Sequence, residues 1–212
     1  MEHFSLDTIK SWARFYRANF INSLTGYKSV NLIGTVNQQG QPNLAIFSSI
    51  VHIGSDPALV GYINRPLTAA PHTLANIEAS GIYTINHIHN GMVVQAHQTS
   101  AKYPANVNEF EAVGLKPVFK EAIIAPFVAE SAVQYAMQLV EIVPIKHNHT
   151  FLVIGAVTNV FIEENILGED GFLSLDKASS CSSNGVDAYY LPTPLGRYAY
   201  AKPNVAVENL IS

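Results

Sequence analysis

YKSVNLIGTVNQQGQPNLAIFSSIVHI, residues 27–53, is the stretch that decides the fold. Residues 27–36 are rich in β-forming side chains, and so are residues 44–53. Between them lies NQQGQPN, in which Gly40 and Pro42 supply a bend. Two β-forming runs separated by a turn predict an antiparallel hairpin, and residues 57–63 predict a third strand.

The remaining elements are predicted from the spacing of apolar residues. Strands are expected at 82–88, at 132–143, where apolar and polar residues alternate, and at 150–162. Helical spacing predicts one helix through residues 9–20, and Thr73 opens a short helix that closes near Gly81. Evenly spaced strands without long intervening helices favour an antiparallel barrel or sandwich.

Composition limits the class of protein and its partners. The chain has 212 residues, which suits one domain, and its charged fraction of 13% is well below the usual ~25%. So few charged residues imply an unusually apolar surface, and an apolar surface of this kind predicts burial in an oligomer interface. A net charge of -4 without a Lys/Arg cluster argues against nucleic-acid binding. The single cysteine, Cys181, predicts a reducing, cytoplasmic location. The sequence shows no signal-peptide pattern and no apolar run of the ~20 residues that a membrane-spanning helix needs, so no membrane location is predicted.

Several polar groups could hold an anion, although no Gly-x-Gly-x-x-Gly and no Walker lysine is present. Hydroxyl groups, main-chain N–H groups and a cation would suffice. Such groups occur at Ser48, Ser49, Arg65, Thr73, Thr99, Ser100 and Lys102. Composition alone equally allows ordinary strand-edge residues and solvated charges.

Two His-x-His pairs raise a metal hypothesis. His87 and His89 are two residues apart, as are His147 and His149, and within a strand each pair would project from one face. A glutamate four or five residues beyond the first pair would complete such a site, but valines stand there. No metal is therefore predicted. Cys181 lies in a loop without an activating neighbour, so a catalytic thiol is not predicted either.

Four further motifs, in this order, carry a family resemblance: GTVNQQGQPNLAIFSSIVHIGSDPALVGYINRP, HTLANIEASGIYTIN, TSAKYPANVNEFEAVGL and NHTFLVIGAV. Together they resemble the flavin reductase-like family from about residue 27 to 162, and DAYYLPTPLGRYAYAKP resembles its C-terminal segment. The resemblance implies an FMN-binding split barrel, a six-stranded antiparallel Greek-key barrel. Residues 1–212 would form a single domain, with the N-terminal helix and the C-terminal extension packed on the barrel or on a partner subunit.

The same resemblance implies a homodimer with non-covalent FMN at the subunit interface and NADH or NADPH as electron donor. Reduced flavin would be used in place or passed to an oxygenase. The implied cofactor-binding residues are Asn43, Ser48, Ser49, Arg65, Thr73, Asn76, Thr99, Ser100, Ala101 and Lys102. Ser48 and Ser49 would face the ring and ribityl chain, and His149 would lie on the nicotinamide side as the catalytic candidate. Arg65 and Lys102 are assigned to the phosphate by charge.

Two other functions stay open from the sequence. One is a flavin-binding or electron-carrier protein without turnover, because no dedicated nicotinamide motif is present. The other is a metal-binding barrel built on the His-x-His pairs. One departure from the family is Glu109, which stands where a lysine precedes the aromatic residue of the third motif.

Overall fold

The structure is a computed structural model that describes residues 1–69 and 71–210. Five α-helices and twelve β-strands are found in these ranges. The helices are α1 (Leu6–Ser11), α2 (Arg14–Leu24), α3 (Pro71–Ser80), α4 (Val93–Gln98) and α5 (Glu109–Val113). The strands are β1 (Lys28–Ser29), β2 (Asn31–Val36), β3 (Pro42–Phe47), β4 (Ile50–Ser55), β5 (Ala58–Asn64), β6 (Ile82–His87), β7 (Pro117–Val118), β8 (Phe127–Val128), β9 (Val133–Ile145), β10 (Thr150–Ile162), β11 (Ser182–Asn184) and β12 (Ala188–Tyr190).

The predicted hairpin is confirmed. Strands β2 and β3 pair antiparallel from Asn31 opposite Phe47 to Val36 opposite Pro42. The turn between them is closed by main-chain bonds from Asn37 and Gly40, with Gly40 at a φ of 76°. The single strand predicted over 27–36 is wrong in one detail, because β1 leaves the sheet and pairs with β11 instead.

The single strand predicted over 44–53 is wrong. The run divides at Ser48–Ser49 into β3 and β4, which lie at opposite edges of a seven-stranded sheet of order β3-β2-β6-β9-β10-β5-β4. From Phe47 to Ile50 the chain can span at most about 11 Å. The two edges must therefore meet at Ser48–Ser49, which curls the sheet into a barrel.

The pairings around this sheet are antiparallel throughout, as predicted, although the sheet has seven strands rather than six. The longest pair is β9–β10, whose register shifts between Ile154 and Gly155. Gly155 has to lack a side chain, since an added Cβ would lie 2.3 Å from the hydroxyl of Tyr83. This glycine lets the tyrosine fill the barrel interior.

Two apolar clusters lie on the two faces of the sheet. The interior cluster is formed by Ile33, Phe47, Tyr62, Leu74, Ile77, Tyr83, Ile85, Met137 and Val153. Leu74 and Ile77 come from α3, so this helix contributes to the barrel core. The outer cluster is formed by Val30, Leu32, Leu44, Ile88, Met92, Ala96, Phe110, Leu115, Val128 and Cys181.

The N-terminal segment differs from the prediction of one helix. Two helices form, because Trp12 takes an extended conformation with a ψ of 150° between α1 and α2. Arg17 joins them by donating to the carbonyl oxygens of Lys10 and Trp12 at 2.9 Å and 3.1 Å. Neither helix has a buried residue. Within the described ranges, no helix combines the length and apolar character required to cross a bilayer.

Candidate functional site

The junction Ser48–Ser49 is the first group of the site. Ser48 is half-buried and Ser49 is exposed, at the point where the two sheet edges meet. The Ser49 carbonyl accepts a hydrogen bond from the main-chain N–H of Ile63 at 3.2 Å, which holds the junction against the end of β5. Neither serine hydroxyl and neither serine main-chain N–H has a hydrogen-bond partner among residues 1–69 and 71–210. Four polar groups thus remain available to a ligand.

Arg65 and His149 lie at the same end of the sheet as this junction. Asn64, the last residue of β5, pairs with Phe151 of β10, so the next residue, Arg65, reaches the level at which β10 begins. His149 directly precedes β10 and is exposed, with a φ of 58°. Arg65 is exposed and forms no ion pair with any described residue. The strand register thus places Arg65 two residues beyond the point where β5 meets the serine junction, and His149 at the same end of the sheet but across β5.

Asn43, Thr73 and Asn76 form a second group, at the start of β3. The Asn43 side-chain amide donates to the Thr73 hydroxyl at 3.3 Å, and the Asn76 amide donates to the Thr35 hydroxyl at 3.0 Å. These bonds fasten α3 onto the hairpin. Thr73 does not open the helix, as the sequence predicts, because the helix begins two residues earlier at Pro71.

A depression of about 90 Å³ lies beside the second group. It is lined by Asn37, Gln41, Pro42, Asn43, His72, Asn76, Ala105 and Val107. Glu109 is buried nearby, and its Oε2 accepts the main-chain N–H of Leu44 at 3.1 Å. Burial raises the pKa of the Glu109 carboxyl, while that hydrogen bond and the charge of His72 oppose the rise. A buried carboxyl at this place favours a neutral or hydrogen-bond-donating ligand group over a phosphate.

The third group, Thr99 to Lys102, follows α4. Thr99 is buried, and its hydroxyl donates to the Ala96 carbonyl at 2.8 Å, which closes the helix. Ser100, Ala101 and Lys102 are exposed. Helix α4 packs on β3 and α5, on the outer face of the sheet.

A hydrogen bond tethers this third group to the C-terminal hairpin. Nδ1 of His97, two residues before Thr99, lies 2.8 Å from the hydroxyl of Tyr189, and the two rings meet edge to face at 5.7 Å. Burial and the neighbouring charge of Asp187 raise the pKa of Tyr189. A protonated tyrosine hydroxyl is therefore favoured, which keeps a proton available for this hydrogen bond.

The ten predicted cofactor-binding residues thus fall into three groups. The second group lies about 16 Å from Ser48 along β3, at five residues of about 3.3 Å each. Within the part of the chain that the structure describes, no hydrogen bond or ion pair joins one group to another. Ile77 and Phe110, which also match the family motifs, are fully buried in the core.

The histidines of the two His-x-His pairs make contacts that do not suit a metal ion shared within each pair. His87 Nδ1 lies 3.2 Å from the Ser180 hydroxyl, and His89 Nδ1 accepts the main-chain N–H of Gly91 at 3.0 Å. His147 and His149 lie in the turn between β9 and β10, not in a strand as the pairing argument assumed. In residues 1–69 and 71–210 no group of three or more His, Cys, Asp or Glu is close enough to hold a metal ion.

Comparison with known proteins identifies the family. The model of the flavin reductase like domain matches residues 26–178, which include the barrel, all ten candidate cofactor-binding residues and His149. The chain belongs to this family. The resemblance predicted from the four motifs is thereby confirmed.

Solved structures of similar proteins support the same fold for this flavin reductase-like chain. A protein from Shewanella frigidimarina NCIMB 400, assigned as a flavin reductase with a split barrel domain, is 44% identical with a TM-score of 0.92, covering 95% of this chain and 100% of that one. Nitrilotriacetate monooxygenase component B from Bacillus cereus is 18% identical with a TM-score of 0.82, covering 93% and 98% of the two chains. The 2-nitrobenzoate 2-nitroreductase NbaA from Pseudomonas fluorescens is 17% identical with a TM-score of 0.81, covering 97% and 98%. The predicted split-barrel fold is confirmed.

The donor set at the barrel junction fits a flavin mononucleotide. Unpaired hydroxyl and N–H groups of Ser48 and Ser49 suit the hydrogen-bond acceptors of a flavin and its ribityl chain. The Arg65 guanidinium, which has no carboxylate partner among the described residues, suits a phosphate. The candidate site of this flavin reductase-like chain is therefore the group of residues that close its barrel.

The sequence contains no signal that would have predicted His72 beside the second group or the hydrogen bond between His97 and Tyr189. Glu109 stands out in the sequence only as a departure from the family, and its burial could not be foreseen, because a glutamate in the first turn of a short helix is usually exposed. Asn108 caps this helix by accepting the Phe110 N–H at 3.1 Å. This cap and Gly114, which ends the helix with a φ of 75°, were the local signals for α5.

Proposed function

We propose that the protein binds FMN without a covalent bond and accepts electrons from NADH or NADPH, as a flavin reductase. The observation that carries the proposal is the junction Ser48–Ser49. In a chain of this family, four polar groups without a hydrogen-bond partner among the described residues lie where the barrel closes, and Arg65 and His149 lie at the same end of the sheet. FMN, when bound, supplies a ring that accepts hydride from a nicotinamide.

The residues of the junction would hold the cofactor and adjust its charge. Main-chain N–H groups of Ser48 and Ser49 can stabilise negative charge because they are fixed in direction by the strands on either side. Arg65 would hold the phosphate as a planar donor, and Lys102 would add a second cation if the third group closes the same cleft. Thr99, Ser100 and Ala101 would then form a wall beside the ring. Asn43, Thr73 and Asn76 would contribute through the position of α3.

His149 would orient the nicotinamide. This exposed residue lies in the turn before β10, with a backbone φ of 58°, rather than within a strand. Hydride transfer requires no acid–base pair in the protein, so the role of this imidazole is to position the donor by a hydrogen bond.

The decisive measurement uses the purified protein, reconstituted with FMN and reduced anaerobically by NADH and, separately, by NADPH. We expect a yellow chromophore that is bleached by one or both nucleotides. Binding of FMN without bleaching by either nucleotide would instead establish the flavin-binding or electron-carrier function. Failure to take up FMN would refute the proposal.

Variants locate the cofactor. Arg65→Ala should weaken FMN binding by about 1.5–3 kcal/mol, the loss of one charged hydrogen-bonding group. Lys177→Ala, at an exposed position outside the candidate site and outside α1 and α2, is the control and should leave the affinity unchanged. Equal affinities in both variants would place the phosphate elsewhere.

A second variant tests the nicotinamide side. His149→Asn is preferable to alanine, because asparagine tolerates the positive φ of this turn. We expect a higher KM for the nicotinamide nucleotide with FMN affinity unchanged. The control is His147→Asn in the same turn, and an unchanged KM in both variants would remove His149 from the site.

We also propose a homodimer. Phe15 is 78% exposed and Leu24 66%, and no residue of α1 or α2 is buried. So much exposed apolar surface on two helices is typical of an interface. Phe15→Glu should shift the sedimentation coefficient toward that of a monomer, whereas Lys177→Ala, at an exposed position outside both helices, should not. A wild-type protein that sediments as a monomer would refute the dimer.

Two finer features belong to the same proposal. One is a single domain over residues 1–212, favoured by the pairing of β1 with β11, which ties the C-terminal segment to the beginning of the barrel. The other is delivery of reduced flavin to an oxygenase, favoured by the likeness to a monooxygenase component B. The cytoplasmic location stays a prediction from cysteine usage.

A further inference from the structure

The depression of about 90 Å³ beside the second group takes no part in the proposed contacts with FMN. It lies about 16 Å from Ser48 along β3, and the proposed function uses Asn43 and Asn76 only through the position of α3. The volume corresponds to about three water molecules at ~30 Å³ each. A ligand group that fits into it therefore has very few non-hydrogen atoms.

The walls of the depression are held in place by the protein's own hydrogen bonds. Gln41 Nε2 donates to the Asn106 carbonyl oxygen at 2.9 Å, which fastens the segment before α5 to the turn of the first hairpin. Gln41 Oε1 accepts the Asn37 side-chain amide at 3.2 Å, and Asn37 Oδ1 accepts the main-chain N–H groups of Gln39 and Gln41. The side chains of Asn37 and Gln41 are therefore engaged within the wall, and other groups have to contact a ligand.

The groups left open on the wall are hydrogen-bond acceptors. The amide nitrogens of Asn43 and Asn76 donate to the hydroxyls of Thr73 and Thr35. The Oδ1 atoms of the same two amides accept no hydrogen bond within the described part of the chain, and neither is among the enclosed side-chain oxygens that lack a partner there. Both oxygens are therefore open to a ligand, and both residues line the depression, together with His72.

Glu109 places a carboxyl group next to these open oxygens. Glu109 is buried, and its Oε2 accepts the N–H of Leu44, the residue that follows Asn43. The charge of His72, which lines the depression, acts on this carboxyl. No ion pair between Glu109 and a lysine or arginine is found in residues 1–69 and 71–210. Because a buried carboxylate in a native protein is normally paired with a cation, this one has room for a cation from outside the chain.

We infer that the depression binds a small monovalent cation by direct contact with oxygen atoms. The Oδ1 atoms of Asn43 and Asn76 would contact the cation, and Glu109 would supply the opposite charge. An ammonium group suits this set, because its N–H groups can donate to several acceptors at once. An anion would be repelled by the carboxylate. A divalent metal does not suit the set, because no group of three or more His, Cys, Asp or Glu surrounds the depression in the described ranges.

The test is a titration of the full-length protein, without FMN, followed by NMR of its backbone amides at pH 8 and low salt. The probes are methylammonium chloride, potassium chloride, tetramethylammonium chloride and acetamide. With methylammonium we expect shifts of the amides that line the depression, at Asn43, His72, Asn76, Ala105 and Val107. Tetramethylammonium has the charge without N–H groups, and acetamide has N–H groups without the charge. Each should bind at least about tenfold more weakly.

The two possible sources of the cation are distinguished by the same titration. Tighter binding of methylammonium than of potassium identifies the ammonium group of an amine, whereas tighter binding of potassium identifies an inorganic cation. Binding of tetramethylammonium or acetamide as tight as that of methylammonium would overturn the inference, because direct contact with a charged group would then not be required.

Two variants remove the proposed contacts. Glu109→Gln keeps an acceptor for the Leu44 N–H but removes the charge, and it should weaken methylammonium at least about tenfold. Glu111→Gln, at an exposed position of the same helix, is the matched control and should bind as wild type. Asn76→Ala should weaken methylammonium about fivefold.

If Glu109→Gln fails to fold, Asn76→Ala and the comparison with tetramethylammonium decide the question on folded protein. The absence of shifts with both methylammonium and potassium, or an unchanged affinity for methylammonium in Glu109→Gln, would overturn the inference. Neither result bears on FMN binding, which is measured separately by its visible spectrum.

Discussion

His87 makes the stability of the protein depend on pH in a way that can be calculated. The residue ends β6, its Nδ1 lies 3.2 Å from the Ser180 hydroxyl, and its ring meets that of Tyr135 at 6.2 Å. Burial lowers the pKa of His87 from 6.5 to about 4. The native state thus keeps the imidazole neutral, whereas the unfolded chain protonates it below pH 6.5. Lowering the pH therefore favours the unfolded state.

The magnitude follows from the difference between the two pKa values. A difference of about 2.5 pKa units corresponds to about 3.4 kcal/mol, and this loss is complete only below pH 4. Between pH 7 and pH 5 the linkage equation gives a loss of about 2 kcal/mol from this residue alone. The buried carboxyl of Glu109, whose pKa is raised, contributes with the opposite sign, so a comparison of two proteins is required.

The assay is urea unfolding of wild type and His87→Asn at pH 7 and pH 5, followed by circular dichroism. Asparagine does not titrate and retains a polar group near Ser180. We expect the wild type to lose about 2 kcal/mol more than the variant over this interval. The control is His147→Asn, in the exposed turn after β9, which should behave as wild type. Equal losses in wild type and His87→Asn would refute the reasoning, because the imidazole would then titrate alike in both states.

Three further predictions concern positions fixed by the packing. Gly34→Ala should destabilise the protein by about 1–3 kcal/mol in urea unfolding, since its Cβ would lie 2.2 Å from the Pro126 carbonyl oxygen; a loss below 0.5 kcal/mol would mean that this loop yields. Glu109→Leu should cost about 1–3 kcal/mol by leaving a buried N–H unpaired, whereas Glu109→Gln should retain most of the stability; equal losses would contradict the assigned acceptor. Tyr189→Phe should cost about 1 kcal/mol, and the nitrogen chemical shifts of the His97 ring should change; unchanged shifts would disprove the tether.

The hairpin and the sheet type could be predicted because their signals are local. Gly40 and Pro42 mark the turn, and alternation marks β9. The break at Ser48–Ser49 has no such signal. Neither glycine nor proline interrupts the run, and the break follows from the closure of the barrel, which depends on five other strands. Pro71 was a usable signal that the Thr73 assignment missed, because proline favours the first position of a helix.

The site could be predicted in its residue types but not in its arrangement. A serine pair and an arginine were visible as an anion-binding set, but their proximity depends on the register between β5 and β10. Asn43 and Asn76 were predicted as cofactor-binding residues, but in the structure their side-chain amides fasten α3 to the hairpin. No sign of these hydrogen bonds is visible in the sequence, because they join segments that are distant along the chain.

Closure of the barrel and formation of the site have one physical cause. A strand edge that ends without a neighbour leaves N–H groups unpaired, and at Ser48–Ser49 this happens where two edges meet. What supports these two residues is rigid. Phe47, the preceding residue, packs edge to face on Tyr62 at 4.8 Å, and Tyr62 packs in the same manner on Tyr83 at 6.1 Å. A binding site gains affinity when its donors are held in place before the ligand arrives. These edge-to-face ring contacts of the barrel core therefore determine the position of the serine donors, and any variant that loosens them should weaken ligand binding as well as the fold.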